Sequence, residues 1–206
     1  MLEFYFADTP NAKKVALMLE ECSLPHKSVA INLKEGQQKS ADFLAKNPNG
    51  KIPVLVDNEA AYGKTVAIAE SGAILFYLAE KTGLFFGHDL STKAEIMTWL
   101  MWQMSAIGPV FGNYHYANKM MEVKSPPMKE RFAKEGQRLL SVLETQLDRR
   151  AFMATNEYTI ADIATYPWLR GMMTLEPDFF ATVPRVRRWM KTIEERPAVQ
   201  KIYAGG

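Results

Sequence analysis

The 206-residue sequence predicts a mixed α/β half followed by an all-helical half. Two observations carry this reading. Short apolar runs bounded by turn residues recur as far as Ala69 and then stop. From residue 92 onward only helical periodicities remain.

Residues 2–6, LEFYF, form an apolar and aromatic run of strand length. Asp8-Thr9-Pro10-Asn11 follows as a turn, and Val15, Met18, Leu19 and Cys22 then fall at i, i+3, i+4, i+7, the stripe of an amphipathic helix that Pro25 ends. Residues 28–33, SVAINL, read as a second strand. The polar stretch that follows carries a short helix around Ala41 to Lys46. Pro53 to Asp57 and Val66 to Ala69 read as two further strands with a turn around Gly63, and Ser71 to Lys81 as a helix. The order βαβ, short helix, ββα implies a parallel pair with a right-handed crossover, extended by an antiparallel hairpin.

Leu84 to Ser91 reads as a linker, which divides the chain into domains 1–83 and 92–206. Residues 92–118 read as a long helix rich in Trp, Met and Phe. A second, 128–149, is striped by Phe132, Leu139, Leu140, Leu143 and Leu147. Thr159-x-x-Asp162 has the form of a capping box, with Tyr158 and Ile163 spaced as a hydrophobic staple, and starts a third. Val183, Val186, Trp189, Met190 and Ile193 stripe a fourth, limited by Pro197.

Composition narrows the function. With 48% hydrophobic residues the chain fills a core without staples, and a net charge of +2 gives no electrostatic case for nucleic acid or acidic membranes. No stretch approaches the roughly 20 apolar residues of a membrane span. The start, MLEFYFADTPNAKK, lacks a basic segment followed by a long apolar run, so no signal peptide is expected. The one cysteine, Cys22, excludes an internal disulfide and a CxxC pair, which suits a reducing compartment, and a cytoplasmic location is expected. His26, His88 and His115 lack ligand spacing, so no metal is expected.

The segments FYFADTPNAKK, NPNGKIPVLVD, ESGAILFYLAEKTG, WLMWQMSAIGPVFGNYH and YTIADIATYPWL, in this order, resemble the glutathione transferases across nearly the whole chain. The chain is most similar to bacterial nu-class members, which are similar to a yeast nitrogen regulator and have glutathione-dependent disulfide reductase activity. The resemblance implies the glutathione transferase fold, a thioredoxin-like glutathione-binding domain followed by a helical bundle. It also implies a homodimer that takes glutathione and glutathione disulfide.

Thr9-Pro10-Asn11-Ala12 lies at a strand-to-helix turn, where unpaired helix N–H groups favour a thiolate. The thioredoxin fold carries its CPxC at this turn. Thr and Ala stand here instead, so glutathione would supply the thiol. Lowering a thiol pKa by about two units from ~8.5 needs about 2.7 kcal/mol. A helix N-terminus gives up to ~2 kcal/mol and one charge-assisted hydrogen bond ~1.5–3 kcal/mol, so no catalytic base is required. The resemblance assigns Thr9 and Asn11 to the glutathione sulfur. Read alone, Thr9 is a plain helix cap.

Pro53 has no N–H and so marks a strand start. The resemblance implies a cis Ile52–Pro53 bond, an Ile52 backbone that pairs with the cysteinyl unit, and a Lys51 that meets the glycine carboxylate. Glu70-Ser71 precedes a helix. Ser71 can bind the γ-glutamyl carboxylate and Glu70 the ammonium, while Ser71 is also an ordinary helix cap. Gln38, Asn49 and Arg131 are carried over to the glycine end. Phe111, Tyr114, His115 and Tyr116 read equally as a second-substrate wall or as packing. Cys22 reads as core, and Arg185, Arg187, Arg188 and Lys191 as a solvated face. The leading function is glutathione-dependent disulfide exchange. Conjugation of glutathione to electrophiles and a non-catalytic glutathione-binding regulator stand as alternatives.

Overall fold

The computed structural model describes residues 1–204. Strands β1 (Leu2–Phe6), β2 (His26–Ala30), β3 (Val54–Ala60) and β4 (Lys64–Ala69) form one sheet in the order β2-β1-β3-β4. β1 pairs parallel with β2 and antiparallel with β3, and β3 pairs antiparallel with β4. Helices α1 (Pro10–Glu21) and α3 (Ser71–Thr82) belong to one core with Leu2, Phe4 and Leu55 of the sheet. The short α2 (Ala41–Leu44) places Phe43 in a separate cluster with Val54 and Val56. Alternation along β3 therefore serves both clusters, with Leu55 on one face and Val54 and Val56 on the other.

β2 begins and ends earlier than the expected 28–33. The Ile31 N–H still reaches the Phe6 carbonyl at 2.7 Å, but Asn32 then turns the chain. Its Oδ1 accepts from the Lys34 and Glu35 N–H groups at 3.1 and 3.4 Å, the asparagine turn that competes with a ladder.

Among the described residues the second half holds helices and no strand. The expected helix 92–118 is α4 (Leu90–Trp102), a π-helical segment Gln103–Ile107, α5 (Gly108–His115) and a second π segment Tyr116–Met120. Pro109 offers no N–H to the Ser105 carbonyl, and the wide π turn precedes it. α6 spans Pro126–Gln146, α7 Ile160–Leu175, α8 Pro184–Glu194 and α9 Pro197–Tyr203. α9 was not expected. Pro197 limits α8, but it is equally a good first residue of a helix, and Ala198 and Val199 are buried behind it.

The Thr159–Asp162 capping box forms as its spacing predicts. Buried Asp162 accepts from the Thr159 and Met153 N–H groups at 3.0 and 2.9 Å and from the Trp189 indole at 2.8 Å. It thereby ties the start of α7 to α8. α7 in turn packs along α1, joining the two halves. Among the described residues no helix is long and apolar enough to cross a membrane.

Candidate functional site

Thr9 has extended backbone and caps α1, its Oγ1 accepting the Ala12 N–H at 3.2 Å. The cap uses an oxygen lone pair and leaves the hydroxyl hydrogen free, so capping and ligand donation are compatible. Asn11, one residue into α1, accepts the Trp168 indole N–H on Oδ1 at 2.9 Å. An indole nitrogen only donates, so this bond fixes the amide and leaves both Nδ2 hydrogens for an acceptor. Trp168 comes from α7. Its segment stands out in the sequence, but nothing there gives Trp168 itself a role.

The loop before β3 is held by buried Asn47, whose Nδ2 donates to the Lys51 carbonyl at 2.7 Å and whose Oδ1 accepts the Asn49 N–H at 3.0 Å. The Ile52–Pro53 bond is cis, and the ladder starts at Val54, leaving the Ile52 backbone outside it. Gln38 donates to the Leu33 carbonyl at a long 3.4 Å, and its buried Oε1 has no partner among the described residues.

The α3 N-terminus completes the arrangement. Glu70 precedes it at φ 67°, and buried Ser71 is its first residue. Gly72 follows because a Cβ there would lie 3.0 Å from Cγ of Met104. Behind Ser71 lies a residue the sequence reading passed over. Lys14 of α1 is 1% exposed, and its ammonium donates to Gln103 Oε1 at 2.7 Å, Ser71 Oγ at 3.3 Å and Met104 Sδ at 3.4 Å. Burial pushes the Lys14 ammonium down to about 7, against the opposing pull of the Glu70 carboxylate. A signal was present: Lys14 stands four residues before Met18, on the apolar face, where a cation is out of place.

These elements enclose a cavity of about 320 Å³ lined by Asn11, Lys14, Asn49, Ile52, Glu70 and Ser71, and by Gln103, Met104, Pro109 and Trp168 from the helical half. A second, of about 410 Å³, adds Thr9, Leu33 and Gln38 and shares Asn11, Lys51, Ile52 and Trp168 with the first. The structure thus brings together Thr9, Asn11, Gln38, Asn49, Lys51, Ile52, Pro53, Glu70 and Ser71. Arg131 is exposed on α6 and lines neither cavity. Phe111 and Tyr114 are buried edge-on against Phe179, so both pack, and neither they nor His115 and Tyr116 line either cavity. Cys22 is half-buried, 3.8 Å from Thr82 Oγ1, and burial pushes its thiol up. No cluster of His, Cys, Asp or Glu fit for a metal occurs among the described residues.

Comparison with known proteins agrees with this architecture. Residues 9–81 match the model of the glutathione S-transferase N-terminal domain and residues 100–197 that of its C-terminal domain. The disulfide-bond oxidoreductase YfcG of Escherichia coli is 40% identical over 96% of this chain and 92% of its own. A Burkholderia graminis glutathione transferase, solved with two glutathione molecules per subunit, superposes with a TM-score of 0.94 at 37% identity, over 98% of this chain and 86% of its own. A Pseudomonas putida glutathione transferase with one glutathione disulfide per subunit superposes at 0.92 with 36% identity, over 100% of this chain and 92% of its own. The chain belongs to the glutathione S-transferase family.

Proposed function

We propose that this protein is a glutathione-dependent thiol-disulfide oxidoreductase. One observation carries the reading: the turn that would present a protein thiol presents the Thr9 hydroxyl and an Asn11 amide fixed by Trp168. Such a turn stabilises a thiolate brought by a ligand. Glutathione binds with its γ-glutamyl end at Glu70 and Ser71, its cysteinyl backbone along Ile52 and its glycine end toward Gln38, Asn49 and Lys51. Arg131 is not needed for this placement. The glutathione thiolate attacks one sulfur of a substrate disulfide, forming a mixed disulfide and expelling the other sulfur as thiolate. A second glutathione thiolate attacks the glutathione sulfur of the mixed disulfide, giving glutathione disulfide and releasing the remaining substrate thiolate. Cys22 takes no part.

The protein acts in the cytoplasm as a homodimer. The exposed side chains of Phe76, Leu90 and Met101 on α3 and α4 support the pairing. Parallel assays test the function: glutathione-dependent reduction of hydroxyethyl disulfide against conjugation of glutathione to chlorodinitrobenzene. Disulfide turnover well above conjugation is expected. Conjugation without disulfide turnover would make the protein a transferase of electrophiles instead, and light scattering near 23.3 kDa would exclude the dimer.

A further inference from the structure

We propose that Lys14, with Gln103, is the concealed counter-charge of the glutathione site: its ammonium balances the α-carboxylate that Ser71 binds and orients the Ser71 hydroxyl toward it. Three observations carry this. Lys14 lines the cavity yet lies within 4.0 Å of no carboxylate among the described residues; its acceptors are a neutral amide, a hydroxyl and a thioether. A buried cation with only neutral partners is a large unmet demand for an anion. Gln103, fully buried in the π segment and lining the same cavity, spends Oε1 on Lys14 and leaves Nε2 without an acceptor. Finally, an ammonium can only donate, so Ser71 Oγ must accept from it, and the Ser71 hydrogen is left for a ligand oxygen.

The surroundings specify the anion. Glu70 and Lys51 are the other charged side chains of this cavity. Elsewhere along α1 the charges are satisfied: Lys13 pairs with Asp8, and Lys201 of α9 with Glu20. From α7, Arg170 lies over the Tyr203 ring, and from the π segment come only neutral Gln103 and Met104. A carboxylate at Ser71 beside an ammonium at Glu70 is an α-amino acid end, so Lys14 selects that end of the ligand. Because burial already weakens its hold on a proton, Lys14 regains one when the carboxylate arrives. Binding therefore takes up a proton above neutral pH.

The inference rests on the glutathione reading, and the test separates the two. The probe is S-methylglutathione, which has no thiol to titrate. Its binding to the native protein, Lys14→Met and Lys14→Gln is followed by calorimetry at pH 6 and pH 8, in buffers of different ionisation heat, alongside thermal melts. At pH 6 the variants should bind at least tenfold more weakly than the native protein. At pH 8 that deficit should shrink about tenfold, and the native protein should take up at least half a proton more than either variant. Equal affinity and equal proton uptake in a folded variant would reduce Lys14 to a packing residue and leave the glutathione reading standing. No binding of the probe to the native protein at millimolar concentration would overturn both.

Discussion

Removing the Trp168 indole donor should slow disulfide reduction only through Asn11. Trp168→Phe keeps an aromatic ring, though a smaller one, while the 2.9 Å bond to Asn11 Oδ1 goes, so the amide is free to rotate and its Nδ2 is no longer aimed. A neutral hydrogen bond is worth about 1 kcal/mol, so turnover should fall about fivefold. Asn11→Ala removes the donor itself. A hydrogen bond to a charged group is worth ~1.5–3 kcal/mol, so turnover should fall roughly 10- to 150-fold. The helix N–H groups and Thr9 remain, so activity should not vanish. Thr9→Ala should lose turnover similarly, with about 1 kcal/mol of stability lost from the cap. The decisive measurement is the double variant. If Trp168 acts by orienting Asn11, then Trp168→Phe should have no further effect once Asn11 is alanine. Turnover with hydroxyethyl disulfide, glutathione affinity and thermal melts are needed for each protein. Should Trp168→Phe slow the Asn11→Ala protein as much as it slows the native one, the orientation argument fails. Full turnover in both Asn11→Ala and Thr9→Ala would remove the thiolate from this turn altogether.

Three further outcomes are expected. Cys22→Ala should keep turnover within about twofold, because burial raises its thiol and it sits away from both cavities; a large loss with unchanged melting would make it a redox partner. Asp162→Ala should cost several kcal/mol in denaturant unfolding, because it strands two backbone N–H groups and the Trp189 indole in the core; a loss below about 1 kcal/mol would contradict the buried network. Ligand-free Lys14→Met should gain stability over the native protein as pH falls from 9 to 7, by roughly 2 kcal/mol, and the difference should level off about one pH unit lower. The sign follows from an ammonium whose folded pKa of about 7 lies below its unfolded value, so that charging it costs stability on the way down; a difference flat across this range would refute it.

What was legible in the sequence was what short-range physics writes there. The stripe of α1, the capping box at Thr159, the turn chemistry around Pro10 and the proline at the head of β3 are local patterns, and each appears where its spacing puts it. The two cavities gather nearly all the residues assigned from the turns, since those turns carry the backbone donors. What stayed hidden depends on partners far along the chain. The π segment at Gln103 needs the helix to accommodate Pro109, and α9 is too short for a period to emerge from seven residues. Lys14 shows in the sequence only as a cation on the apolar face of α1, and what it serves stays hidden because its three acceptors lie 57 to 90 positions away.

The same distances bear on where this site belongs. The N-terminal half supplies nearly every backbone donor, yet each of its two α1 side chains that face the cavity is set by a residue of the helical half. Asn11 is fixed by Trp168 of α7, and Lys14 by Gln103 of the π segment. A detached N-terminal half would keep Thr9, Ile52 and Ser71 but would leave the Asn11 amide free to rotate and the Lys14 ammonium without its strongest acceptor. The chemistry is therefore a property of the packing between α1 and α7 rather than of the sheet alone. That packing is anchored at the buried Asp162, which caps α7 and holds Trp189 of α8. A capping box thus connects the helical core to Trp168, six residues along the same helix, and through it to the Asn11 amide at the cavity.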